Sequence, residues 1–220
     1  MFGSVPTQRA ICRITWIMAW FATVAGQLHA LARFATADGQ EDLELPLTRA
    51  WAVPTSEALR PLLDWATPET VYLTYGKTWL PVFAVMTLCA FVVHQRRKPV
   101  GFEKWAWRVA LTGYVLATVS VFGDYFTPWI DQSFLFVGMP GLLLTALGST
   151  TLGIALLRKG FRPLPTGILL AAFIPLFLAI TQVTSMGSAI LPVVWAWAIA
   201  GRRVSRELTA VTMPSAGSLS

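Results

Sequence analysis

The sequence predicts an all-α fold, a polytopic helical membrane bundle of about six transmembrane helices with both termini in the cytoplasm. Two observations support this class. Of the 220 residues, 55% are hydrophobic and only 13% are charged, whereas a soluble domain carries about 25% charged residues. The apolar residues also gather in runs of roughly twenty, the length that a helix needs to cross a bilayer. The bilayer of the cell membrane is therefore the expected location and partner.

Charged residues are divided between the two ends of the predicted spans. The bases at one end are Arg9, Arg13, Arg96, Arg97, Lys98, Lys104, Arg108, Arg158, Lys159, Arg162, Arg202, Arg203 and Arg206. The acids at the other end are Asp38, Glu41, Asp42, Glu44, Glu57, Asp64, Glu69, Asp124 and Asp131. This asymmetry follows the positive-inside rule and places the basic end in the cytoplasm. Because the bases are scattered among short loops, the net charge of +6 does not indicate a nucleic-acid site.

Six apolar segments are predicted to cross the membrane. They are residues 14–34, 79–94, 105–126, 134–157, 165–182 and 189–200. Pro175 predicts a kink in the fifth helix. The sixth segment is short, but without it Arg202 and the bases after it would lie outside, against the charge rule. Residues 1–206 are thus expected to form one transmembrane domain, and residues 207–220 a disordered cytoplasmic tail.

The first segment has a second interpretation as a signal peptide. Arg9 and Arg13 precede an apolar run, and Ala30-Leu31-Ala32 resembles a cleavage site. A retained helix is preferred, because Arg33 follows that site directly.

The long loop, residues 35–78, is acidic and is expected to carry short helices along the outer membrane interface. Thr67-Pro68-Glu69 has the composition of a helix start: an N-cap, a first-turn proline and an acid that suits the helix dipole. Gly76 is expected to end that helix.

Small residues recur every four positions along the fourth predicted helix, at Gly141, Thr145, Ser149 and Gly153. This spacing puts them on one helix face. Small residues let helix backbones approach closely in membranes, so this face is expected to pack against a neighbouring helix.

A polar group is predicted where several spans reach the outer surface. On the first helix, Gly26, His29 and Arg33 share a face, and on the third helix Ser120 and Asp124 do the same. The candidate ligand-binding residues are His29, Arg33, Asp124, Tyr125, Asp131 and Gln182. Arg33 and Asp124 are expected to form an ion pair with His29 in the same network, because an unpaired charge at this depth is costly.

These residues suggest an outward-facing polar pocket that binds or transports a small molecule, an ion or a lipid. Two alternative functions remain open. One is a structural or accessory subunit of a membrane complex, and the other is a membrane enzyme that uses His29 or Asp124 as a base. Other membrane subunits, or further copies of this chain in a homo-oligomer, are the possible protein partners. Haem is not expected, since His29 and His94 belong to opposite membrane faces. A structural metal is not expected either, because Cys12 and Cys89 lack a ligand-like spacing.

Overall fold

The computed structural model describes residues 4–212, and these residues form a bundle of helices without a strand. The first helix and the outer segment after it are α1 (Val5–Phe34), a 3-10 helix (Gln40–Glu44), α2 (Pro46–Ala58), α3 (Arg60–Leu63) and α4 (Pro68–Lys77). The elements that follow are α5 (Trp79–Arg97), α6 (Phe102–Phe126), α7 (Ile130–Ser133), a π-helical turn (Phe134–Gly138) and α8 (Met139–Arg158). The last elements are α9 (Leu164–Ala171), α10 (Phe173–Thr181), a 3-10 helix (Met186–Ile190) and α11 (Leu191–Thr212).

Four helical segments are long and apolar enough to cross a membrane: Val5–Phe34, Pro68–Arg97, Phe102–Phe126 and Ile130–Arg158. The pair α9 and α10, bent by 62°, makes a fifth if it is taken as one broken span. The predicted helical bundle is therefore confirmed. α11 is not among these segments, since it carries Arg202, Arg203, Arg206 and Glu207.

The kink predicted from Pro175 is present, since α9 and α10 meet at 62° across Ala172. Pro175 has no N–H for the carbonyl four residues earlier, and its ring crowds that carbonyl, so the break falls one turn before the proline.

The predicted tail, residues 207–220, begins too early, because α11 continues to Thr212. Residues 213–220 of that tail lie outside the described residues.

The N-terminus of α4 confirms the predicted helix start. Thr67 has an extended backbone and its hydroxyl accepts a hydrogen bond from the N–H of Thr70 over 3.4 Å, as an N-cap does. Pro68 occupies the first helical turn, where its missing N–H would have no intrahelical partner. α4 is followed almost directly by α5, and both belong to the apolar segment Pro68–Arg97. The loop predicted over residues 35–78 is therefore too long by this helix, and the second segment, predicted over residues 79–94, begins earlier.

The predicted small-residue face of α8 packs against α6 and α9. Gly141, Thr145, Ser149 and Gly153 are all buried. A Cβ at Gly153 would overlap the backbone of Ala171 in α9, and one at Gly141 would lie 3.0 Å from the backbone nitrogen of Ala117 in α6. The prediction of close helix packing on this face is thus confirmed.

α11 lies antiparallel to α1 along most of its length. At one end, the hydroxyl of Ser188, just before α11, donates to the carbonyl oxygen of Gly26 over 3.2 Å. At the other end, Arg9 Nε donates to the hydroxyl of Thr209 over 3.0 Å. The first and last described helices therefore have their basic ends side by side.

Large apolar side chains cover much of the exterior of the bundle. Exposed examples on three different helices are Ile17, Val24, Val119, Phe122, Leu143 and Leu147. A soluble monomer rarely exposes so many large apolar side chains on contiguous helix faces, whereas a membrane protein presents such faces to lipid.

A buried carboxylate joins three helices at the basic end. Glu103, in the first turn of α6, is 2% exposed and pairs with Arg97 Nε of α5 at 2.6 Å and with Lys159 Nζ at 3.1 Å. The indole N–H of Trp107 also donates to Glu103 over 3.4 Å. The carboxylate therefore has cationic and neutral donors, as a buried charge requires.

Candidate functional site

His29 is the centre of a closed aromatic cluster at the end of the bundle opposite the basic one. Its side chain is 2% exposed. Its Nε2 lies 3.0 Å from the hydroxyl of Tyr125, and the indole N–H of Trp79 donates to its Nδ1 over 3.3 Å. The ring of Tyr72 stacks on the imidazole with centroids 4.8 Å apart. Helices α1, α4, α5 and α6 therefore meet around one histidine.

These contacts define the tautomer of His29. An indole N–H can only donate, so Nδ1 is the acceptor and the proton of the neutral imidazole is on Nε2. Nε2–H then donates to the Tyr125 hydroxyl, which in turn can donate to the hydroxyl of Tyr72, 3.4 Å away. Both ring nitrogens are satisfied without a ligand.

Two glycines let the rings approach the backbone. A Cβ at Gly76 would overlap the ring of Tyr125, and a Cβ at Gly187 would lie 3.3 Å from His29 Nδ1. The prediction that Gly76 ends a helix is wrong, since α4 continues to Lys77. The missing side chain at Gly76 makes room for Tyr125 instead.

The predicted ion pair between Arg33 and Asp124 is also wrong. Arg33 Nε pairs with Asp42 Oδ2 at 2.9 Å, and the two side chains are 34% and 35% exposed. Asp42 lies in the 3-10 helix that follows α1 in the chain, so the partner of Arg33 comes from its own loop. A pair with this exposure contributes at most about 1 kcal/mol to stability.

Asp124 lies in a second polar group, formed by α6 and the segment from α7 to the π-helical turn. The hydroxyl of Ser120 donates to Asp124 Oδ2 over 3.0 Å. Ser133 lies beside the carboxylate, but its hydroxyl donates to the carbonyl oxygen of Ser120 over 3.2 Å. A hydroxyl has one proton, so Ser133 can donate to only one of these two acceptors at a time. The other carboxylate oxygen, Oδ1, is buried and has no hydrogen-bond partner among the described residues.

The π-helical turn Phe134–Gly138 forms part of the wall around this second group. A Cβ at Gly138 would lie 2.6 Å from the hydroxyl of Ser120, so the turn approaches this partner of Asp124 closely through a glycine. π-Helical turns are rare and occur frequently at functional sites. An unpaired buried carboxylate oxygen beside such a turn is the feature of this end of the bundle that most needs a partner.

The six predicted residues therefore separate into groups. His29 and Tyr125 contact each other, and Arg33 lies near them through Tyr72. Asp124 faces the serines described above. Asp131 and Gln182 are exposed, and neither side chain has a hydrogen bond or ion pair among the described residues. The backbone carbonyl of Gln182 accepts a hydrogen bond from the hydroxyl of Thr48 over 3.4 Å.

Comparison with known proteins does not assign this chain to a family. No protein-family model, curated protein or solved structure matches the chain. Within residues 4–212, no group of three or more His, Cys, Asp or Glu side chains is arranged to hold a metal ion. The candidate site is therefore interpreted from its own contacts.

Several residues of the site are not predictable from the sequence patterns above. Tyr72 has the signature of a membrane-interface residue and Trp79 that of a helix start, yet both contact His29. Ser133 belongs to no predicted group, although it shapes the Asp124 group. The sequence feature that could have identified Ser133 is its position, since it is a small polar residue directly before an apolar run and follows Asp124 in the chain.

Proposed function

We propose that this chain is an integral protein of the cell membrane with six crossings, whose described ends both lie in the cytoplasm. The apolar exterior supports insertion, because lipid is the solvent that such a surface fits. The segregation of bases at one end supports the orientation. The antiparallel contact of α11 with α1 supports a sixth crossing, since the apolar half of α11 lies at the depth of the other spans and its bases lie beside Arg9.

Cysteine labelling tests this topology. In a background with Cys12 and Cys89 replaced by Ala, we introduce Asp38→Cys, Val100→Cys or Ala210→Cys, all at exposed positions. An impermeant maleimide added to intact cells should label only the Asp38→Cys protein, and permeabilised cells should label all three. If Ala210→Cys is labelled in intact cells as readily as Asp38→Cys, α11 does not cross the membrane.

For the function itself, we propose that the outer end binds a small ligand through a hydrogen-bond-donating, preferably cationic, group at Asp124. The observation that carries this proposal is the buried Oδ1 without a partner among the described residues. Leaving a buried acceptor unpaired costs about 1–3 kcal/mol, and more when it is charged. A donor from a ligand would remove this cost, and the hydroxyl of Ser120 would hold the carboxylate in place meanwhile.

The His29 cluster has a different role in this proposal. Its polar atoms already pair with one another, so a ligand would gain little there and would have to displace existing hydrogen bonds. We assign it to holding the outer ends of α1, α4, α5 and α6 in fixed positions around the Asp124 group.

Asp124→Asn is expected to raise the free energy of unfolding of the ligand-free protein by about 1–3 kcal/mol, because a neutral amide is less costly to bury than a carboxylate with one unpaired oxygen. The measurement is thermal unfolding of both proteins in the same detergent. The wild-type protein should also be stabilised by ammonium chloride, which offers N–H donors, more than by tetramethylammonium chloride, which has the same charge and none.

The same series provides the control. The difference between the two salts should disappear in Asp124→Asn and persist in Asp131→Asn, because Asp131 is exposed to solvent. A donor site at Asp124 would be contradicted if Asp124→Asn lowered the stability and the wild-type protein responded equally to the two salts.

A further inference from the structure

A long apolar groove lies between α5 and α6 at the basic end, away from the Asp124 group. Its volume is about 480 Å³. Phe91 of α5 and Leu111, Val115 and Leu116 of α6 form most of its wall. The groove opens to the side of the bundle, where Val115 is 40% exposed.

Basic side chains stand at one end of this groove. Lys104 and Arg108 line it one helical turn apart, and His94 of α5 faces them. Among the described residues, the side chains of Lys104 and Arg108 make no hydrogen bond or ion pair, whereas Arg97 and Lys159 are both bound to Glu103. Like charges at positions i and i+4 of a helix repel each other. The two exposed bases therefore offer an anion a pair of positive charges that no carboxylate of the described chain neutralises.

The length of the groove matches one leaflet of a bilayer. Lys104 and Val115 are eleven residues apart on one helix, which corresponds to about 16 Å along its axis. Half of a hydrocarbon core of about 30 Å is nearly the same distance. An acyl chain whose headgroup lies at Lys104 would thus run along the groove toward the centre of the membrane.

We propose that the groove between α5 and α6 binds an anionic phospholipid of the cytoplasmic leaflet, with its phosphate between Lys104 and Arg108 and one acyl chain along Leu111 and Val115. The guanidinium of Arg108 can hold a phosphate with two parallel hydrogen bonds, and Lys104 adds a second positive charge. The site is separate from Asp124, so a negative result for lipid binding would not contradict the proposed ligand site at Asp124, and the reverse also holds.

The test compares phosphatidylglycerol with phosphatidylcholine, added to the purified full-length protein in mixed micelles. Retained lipid is measured by mass spectrometry, and thermal stability is recorded in parallel. Phosphatidylglycerol should bind preferentially and raise the unfolding temperature. Lys104→Gln with Arg108→Gln should weaken its apparent affinity by roughly thirty-fold, since each base near an anionic lipid contributes about a five-fold effect.

The matched control removes two other exposed bases of the same end, Arg13→Gln with Arg206→Gln, and should change the affinity less than about two-fold, because neither base lines the groove. Thr112→Trp keeps both cations but fills the groove, and should also abolish lipid retention. Equal binding of phosphatidylglycerol by the Lys104/Arg108 and control variants would overturn the proposal. The proposal would also be overturned if Thr112→Trp retained as much lipid as the wild-type protein. It would likewise be overturned if inorganic phosphate stabilised the protein as much as phosphatidylglycerol does, which would indicate a site for free anions.

Discussion

Ser149→Leu is expected to lower the free energy of unfolding by about 2–6 kcal/mol, the sum of two separate losses. The hydroxyls of Ser149 and Tyr114 lie 2.8 Å apart, and both residues are fully buried between α8 and α6. Leucine would leave the Tyr114 hydroxyl without this partner, at a cost of about 1–3 kcal/mol. It would also overpack a contact in which helix backbones nearly touch, at a further cost of about 1–3 kcal/mol.

Thermal or denaturant unfolding in detergent measures this loss. The control is Leu143→Phe, which adds volume to the same helix at a side chain that is 59% exposed. It should change stability by less than about 0.5 kcal/mol, the usual range for a surface substitution. Equal losses for the two variants would show that the small-residue face of α8 does not pack against α6 in the folded protein.

Glu103→Gln is expected to lower the free energy of unfolding by about 1.5–3 kcal/mol. The carboxylate is buried and holds Arg97 and Lys159 at once, and hydrogen bonds to charged groups contribute about this much. The loss stays below that of a fully buried ion pair, because Arg97 and Lys159 are 25% and 45% exposed and can reach water.

The matched control is the same substitution at Glu207. Glu207 pairs with Arg203 at 2.8 Å, but the two side chains are 48% and 46% exposed. A pair of this kind, one turn apart on a helix surface, contributes about 0.3–0.5 kcal/mol. If Glu103→Gln costs no more than Glu207→Gln, the junction of α5, α6 and α8 does not depend on the buried carboxylate.

Glu103 also illustrates a limit of reasoning from charge patterns. It is an acid among the bases at one end of the bundle, so a rule based on the majority of charges does not identify it. The sequence does indicate that Glu103 forms ion pairs, because an isolated acid surrounded by cations in short loops has several candidate partners. Its burial could not be predicted, since it depends on how the ends of three helices meet.

Sequence patterns alone predict the helical class of fold, most of the apolar segments, the N-cap at Thr67 and the packing face of α8. Each of these follows from local chemistry. An apolar run, a cap or a four-residue spacing has the same consequence in almost any bundle, because the backbone must be paired in hydrocarbon and the helix repeat is constant.

Which polar side chains contact each other depends on the packing of the whole bundle. Asp124 and Tyr125 are neighbours in the chain, yet successive residues on a helix point about 100° apart. Tyr125 therefore turns toward His29, and Asp124 turns toward Ser120 and Ser133. The partner of Arg33 likewise comes from the adjacent loop rather than from α6. The rotation of each helix about its axis and the course of the loops depend on packing across the whole bundle, and no short stretch of sequence specifies them.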